Sequence, residues 1–219
     1  MNLNFSNLIQ FMGLLPQALK TTILIGVLGF ILAVIIALLV GTLRSGSLPV
    51  VFDKLLSVYV EIFRGTPLLV QLFFVYYGLP SLGFQINPIV ASVVTMGLNS
   101  GAYLSENVRG AILSISKGQY EAAYILGYSS FQTRVNIILP QAMRVAIPSF
   151  MNGFSSIIKE TSIVSVLPVV ELTKLTNQVY AKTYQPFEIY ILLGVVYFIL
   201  TYFATFLAKA IERRFSRWQ

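Results

Sequence analysis

The chain has 219 residues, of which 56% are hydrophobic and 11% charged, with a mean hydropathy of +0.78. Soluble domains carry about 25% charged residues, so the deficit marks an integral membrane protein. With no cysteine and no histidine, the chain has no disulfide, thiol nucleophile, Cys- or His-based metal site, Ser-His triad or imidazole relay. The net charge of +7 fits Lys and Arg flanking membrane spans better than nucleic-acid binding.

Residues 1–19 hold no Lys or Arg, and no small-residue cleavage site follows a short apolar core, so no cleavable signal peptide is expected. Phe5 to Pro16 alternates apolar and polar positions and predicts a short helix on the membrane surface. Thr21 to Leu43 is uncharged and long enough to span, and Arg44 to Pro49 ends it. Gly65 to Ser105 is also uncharged but is interrupted at Gly78–Gly83 and Asn87-Pro88, which predicts two spans, Asp53–Gly78 and Ile89–Ser114. Val145 to Ile158 is too short to cross a core of about 30 Å. It reads as a fourth helix that breaks at Lys159-Glu160-Thr161-Ser162 and passes into re-entrant backbone, the whole covering about 140–170. Ile189 to Ala208 is the last span. The expectation is a single all-α transmembrane domain over residues 1–219 with five spans. Arg44, Lys54, Arg109, Lys117, Arg134, Lys209, Arg213, Arg214 and Arg217 then share one side, against Lys174 and Lys182. That asymmetry predicts an outside N terminus and a cytoplasmic C terminus.

Four groups of residues stand out. Arg64 falls deep in the second span, where an ionisable side chain costs about 3 kcal/mol unless paired. Glu61, one helical turn earlier, could pair with it. Gly65 and Pro67 weaken the helix and free backbone groups, with Thr66 and Gln71 alongside. Gly97, Gly101 and Ser105 make a small-residue face for helix packing, Asn99 beside them needs partners, and Glu106 and Arg109 read as a structural pair. Lys159, Glu160, Thr161 and Ser162 sit at the expected helix break, a place where transporters hold charged solutes. Finally, the polar stretch at about 118–130 predicts a helix with Glu121 in its first turn, small Ala122 and Ala123 for close approach, and Gly127 to end it.

The spacing of Glu121-Ala122-Ala123, Gly127 and Ile137-Ile138-Leu139-Pro140 resembles the coupling loop of the membrane subunit of bacterial ABC importers. Arg64-Gly65-Thr66-Pro67-Leu68-Leu69-Val70-Gln71, Gly101-Ala102-Tyr103, Lys117-Gly118-Gln119, Leu139-Pro140-Gln141-Ala142 and Lys159-Glu160-Thr161-Ser162 narrow the resemblance to permeases for polar amino acids. It implies a type I importer permease fold in the bacterial cytoplasmic membrane. It also implies a second permease copy or paralogue, a cytoplasmic dimer of ATP-binding subunits and an external solute-binding protein. Gln119, Glu121, Ala122, Ala123 and Gly127 would form the ATPase-coupling surface. The chain has no phosphate-loop motif, so ATP-Mg would belong to the partner subunit, and no cofactor or metal is expected here. Glu61, Arg64, Gly65, Thr66, Gln71, Asn99, Lys159, Glu160, Thr161 and Ser162 are expected to line one solute cavity, with Glu160 facing a positive group and a basic amino acid as solute. A glutamine- or glutamate-type solute, a permease for another solute class such as phosphate, metal or sugar, an ATP-independent channel and a membrane enzyme are the alternatives.

Overall fold

A computed structural model describes the backbone of residues 8–46 and 48–216, with side chains from Met12 to Ala210 apart from Ser47. The described residues are helical, with no strand among them. Residues 1–7, where the expected surface helix begins, and Arg217 lie outside the described residues.

From Leu8 the chain is one helix, α1 (Leu8–Arg44), which runs through Pro16 without a break for 37 residues, about 55 Å. A separate surface helix ending at Pro16 is therefore not formed. Pro16, the ninth residue of α1, costs one backbone bond, and the long apolar run beyond it carries the helix through. The second span is broken. Helix α2 (Val50–Gly65) and helix α3 (Leu68–Phe73), which continues through a π-turn and a 3-10 turn to Leu82, meet at an angle of 108°. Thr66 and Pro67 hold extended backbone there, and proline supplies no N–H to carry the helix past the break. Asn87 then caps α4 (Pro88–Leu113) by accepting from the Ile89 N–H at 2.9 Å.

After α5 (Lys117–Ile125) and α6 (Ser130–Thr133), a π-turn over Arg134–Ile138 leads into α7 (Leu139–Glu160). At 22 residues α7 is about 33 Å long, so the fourth helix is not too short to cross. Its first turns include Gln141 and Arg144, which a purely apolar criterion leaves out. Past Glu160 the chain forms a 3-10 turn, Thr161–Val166, and then α8 (Leu172–Thr183) and α9 (Pro186–Ser216). Met12–Arg44 and Pro186–Ala210 are long and apolar enough to cross a membrane, and the bent pair α2–α3 makes a third.

Packing centres on α1. Ala33 and Ala37 meet Leu104, Ile112 and Phe150; Ile25 meets Leu72, Met96 and Ile157; Ala18 meets Leu172, Leu175 and Ile189. The small-residue face of α4 lies against it. A Cβ on Gly101 would come within 2.9 Å of Ile36, and one on Gly41 within 2.6 Å of the Ser105 carbonyl oxygen. At the end of α1, Arg44 pairs with Glu106, donates to Ser57 Oγ at 2.9 Å and lies 3.8 Å from Asp53. Glu106 also pairs with Arg109 at 2.9 Å.

Gly41→Ala pushes against backbone rather than against a flexible side chain. It should cost about 1–3 kcal/mol, read as a lower thermal midpoint in detergent. Gly194→Ala, where nothing lies within 4 Å of the new carbon, should leave the midpoint unchanged or raise it.

Candidate functional site

The two breaks in regular helix face one cavity of about 520 Å³. Thr66, Pro67 and Leu68 come from the first break, and Glu160 and Ile163 from the second. Between them, α4 contributes Asn99, Ser100, Tyr103 and Asn107, and α7 contributes Ser149, Asn152, Gly153 and Ser156.

The first break is held by amides. Gln71 is buried, and its Nε2 donates towards the Phe63 and Thr66 carbonyl oxygens, both at 3.0 Å, and Thr66 Oγ1 at 2.9 Å. Asn99 Nδ2 donates to the Phe63 carbonyl at 2.9 Å and to Gln71 Oε1 at 3.1 Å. Carbonyls that lost their helical donors at Gly65–Pro67 thus regain them from side chains, as a low-dielectric setting requires. Both N–H groups of Asn99 are spent, which leaves its Oδ1 as an acceptor at the cavity wall.

Of the residues expected to line one cavity, Thr66, Asn99 and Glu160 do so. The others lie elsewhere. Gln71 is occupied in bracing the bend. Arg64 is exposed, with its guanidinium carbon 5.3 Å from the centre of the Tyr103 ring, whose hydroxyl donates to the Arg64 carbonyl at 3.1 Å. Glu61 is exposed and, among the described residues, forms no ion pair with Arg64, whose guanidinium lies over the Tyr103 ring. Gly65 has open space around it, and Lys159 is exposed. Thr161 is fully buried and turned away, its hydroxyl donating to the Ile158 carbonyl at 2.7 Å; Ser162 is half-buried outside the cavity lining. Tyr103, Asn107, Ser149, Asn152 and Ser156 were not anticipated. Their signal is helical spacing: Ser149, Asn152, Ser156 and Glu160 form one polar stripe along α7.

At the far end of α4 a second surface takes shape. Ser116 caps α5, accepting from the Gly118 N–H at 3.3 Å. The helix stops at Ile125, short of the expected 130, because Gly127 adopts φ 79° and the Tyr128 and Gly127 N–H groups bond the Ala123 and Tyr124 carbonyls at 3.0 Å. Starting at Lys117, α5 places Glu121 in its second turn rather than its first. Ala122 is exposed but Ala123 is buried, so one of the two small residues seats the helix on its own chain and the other faces outwards. Gln119 accepts from Gln141 of α7 at 3.2 Å. Tyr124, Ile125, Leu126 and Phe131 are 73–82% exposed. Tyr120, Tyr124, Tyr128, Phe131 and Arg134 line a hollow of about 580 Å³ there. Exposed aromatic and aliphatic side chains clustered at a polar end mark an interface.

Residues 29–217 match the family described as binding-protein-dependent transport system inner membrane component. The chain belongs to this family. It is 37% identical to the arginine transport system permease protein ArtQ of Bacillus subtilis, over 98% of both chains, and 37% identical to the glutamine transport system permease protein GlnP of Escherichia coli K12, again over 98% of both. It is 39% identical to the L-cystine transport system permease protein TcyB of Bacillus subtilis over 95% of this chain and 89% of that one. A crystal structure of an amino acid ABC transporter with histidines contains a chain that superposes with a TM-score of 0.89, at 33% identity, over 98% of this chain and 100% of that one. An inward-facing MetNI methionine ABC transporter shares the fold, with a TM-score of 0.80 at 20% identity over 94% and 98% of the two chains. This permease is thus a multi-pass component of the bacterial cytoplasmic membrane, and the resemblance to polar amino-acid ABC importers read from its motifs names the right family.

Gln71→Leu removes the donor to the Thr66 carbonyl and the acceptor of one Asn99 N–H, leaving the Phe63 carbonyl to Asn99 alone. It should lower stability by about 1–3 kcal/mol, seen as a lower thermal midpoint of the purified permease. Glu61→Gln, on an exposed position, should shift it far less.

Proposed function

We propose that this permease forms half of the translocation path of an ATP-driven importer of basic amino acids, with the cavity between the two helix breaks as the solute site. The observation that carries the reading is the chemistry of the lining. Glu160 is the one charged residue among those that line the cavity, and Asn99 Oδ1 is a fixed acceptor. An ammonium or guanidinium group pairs with a carboxylate through charge-assisted hydrogen bonds, while an anionic side chain would be repelled. The solute's α-carboxylate lies towards the Thr66 end. The arginine and glutamine permeases match equally well, so the reading rests on Glu160 rather than on kinship.

The α5–α6 loop, with Gln119, Glu121, Ala122, Ala123 and Gly127, docks on a cytoplasmic ATP-binding subunit that supplies ATP-Mg. An external solute-binding protein delivers the amino acid, and a second permease subunit, identical or paralogous, completes the path. The chain itself hydrolyses nothing. Alternating access follows when closure of the ATPase pair moves the loops, and α7, continuous with them through the π-turn, carries the movement to Glu160. Five spans, counting α2–α3 as one, put the N terminus outside and the loop and C terminus in the cytoplasm.

Three measurements follow. Glu160→Gln should raise the apparent KM for arginine uptake at least about tenfold, or about 1.4 kcal/mol; unchanged uptake would make Glu160 structural, and a gain of glutamine uptake would identify it as the selector. Glu121→Lys or Gly127→Trp should leave the protein inserted but separate ATP hydrolysis from uptake, and normal coupling in both would refute the docking role. The chain has no native cysteine, so single cysteines at Ser81 and Ser130 report topology directly. The first should react only with external reagent and the second only from the cytoplasm, and labelling of both from one side would overturn the span count.

A further inference from the structure

Glu171 takes no part in the cavity, yet it has no exposed surface at all. A carboxylate so deeply buried is costly unless it is bonded on all sides. It is the N-cap of α8: Oε1 accepts from the Lys174 N–H at 2.6 Å and Oε2 from the Thr173 N–H at 2.9 Å. Oε2 also accepts from the Tyr197 hydroxyl of α9 at 3.1 Å. Among the described residues no cation pairs with it, since Lys174 Nζ donates instead to the Ser165 carbonyl at 3.1 Å.

Capping alone does not call for glutamate. Ser, Thr, Asp and Asn are the usual N-caps. The longer side chain lets one group close the helix end and also reach α9. The Tyr197 hydroxyl lies 3.2 Å from Thr173 Oγ1 and 3.4 Å from Thr161 Oγ1. Thr161 is the first residue of the 3-10 turn and follows Glu160 directly. Its proton goes to the Ile158 carbonyl and that of Tyr197 to Glu171, so Thr173 supplies the donor to Tyr197. From the other side Thr22 of α1 accepts from the Leu172 N–H at 3.2 Å. The turn that follows Glu160 is thus tied at Ser165, through Lys174, to the first turn of α8, and at Thr161 it packs against the Tyr197 hydroxyl of α9, behind the cavity wall.

We infer that Glu171 and Tyr197 are positioning residues for solute selection: they hold the Thr161–Val166 turn, and with it the Glu160 carboxylate, in register without touching solute. The inference rests on the reading of Glu160 as a solute ligand.

The test uses the assembled importer in proteoliposomes, with arginine as the probe. Tyr197→Phe removes one oxygen and should raise the apparent KM for arginine about tenfold, with maximal uptake and basal ATP hydrolysis within about twofold of wild type. Glu171→Asp keeps a good cap but is too short to reach Tyr197, so it should behave like Tyr197→Phe. Glu171→Gln keeps an acceptor of full length and should be milder than the Asp variant. A residue that only caps a helix gives the reverse order, because Asp is the better cap. An Asp variant that matches wild type beside a defective Gln variant, or an unchanged KM in both Tyr197→Phe and Glu171→Asp, overturns the inference. Glu160→Gln in the same series separates the two readings. If it raises KM and the other variants do not, the positioning role alone fails; if it leaves KM unchanged, the solute-site reading fails and the inference falls with it.

Discussion

A helix broken inside a membrane exposes amides and carbonyls that lipid cannot bond, so each break has to be repaired from within the protein. Among the described residues, two such breaks border the cavity, at Gly65–Pro67 and after Glu160. The first is repaired by Gln71 and Asn99, the second by Thr161, Lys174, Tyr197 and Glu171. Both repairs spend polar side chains on the protein itself. What remains unspent faces the cavity: the Glu160 carboxylate, Asn99 Oδ1 and the hydroxyls and amides along α4 and α7. The site is thus a by-product of how the backbone is satisfied, and its chemistry is set by which groups the repairs leave over.

The same logic explains why polar residues here divide into two populations that look alike in sequence. Gln71 and Thr66 are five residues apart and hydrogen-bonded to each other, but one is buried in the bend and the other lines the cavity. Glu160 and Thr161 are neighbours, yet one side chain enters the cavity and the other enters the knot behind it. At a helix end the side-chain direction turns sharply within one residue, so adjacency in sequence says little about shared function.

The broad plan was legible. Charge-free runs bounded by Lys and Arg give the long helices, and the Gly-Thr-Pro and Lys-Glu-Thr-Ser segments mark the two breaks because their residues disrupt helices or carry charge at depth. The Gly97–Gly101–Ser105 spacing read correctly as packing, as the close approach of Gly101 to Ile36 shows. The helix at Lys117–Ile125 was recognisable from its residues, and Gly127, read as its terminator, takes the left-handed conformation just past its end. Three things were not legible. The polar stripe of Ser149, Asn152 and Ser156 is diluted by apolar residues on the rest of α7. The contact of Arg64 with Tyr103 joins residues on different helices, so no local pattern announces it. The bond from Tyr197 to Glu171 likewise depends on how α9 packs on α8.

The central claim is that the cavity between the two breaks holds a cationic solute, and Ser156 on its wall offers a direct probe. With Ser156→Cys as the sole thiol in the assembled importer, the rate of alkylation by a small membrane-permeant reagent can be followed with and without solute. The account predicts that arginine slows the reaction in proportion to its occupancy and that glutamine and glutamate do so far less. Equal protection by all three, or no protection by arginine at concentrations that saturate uptake, would contradict it.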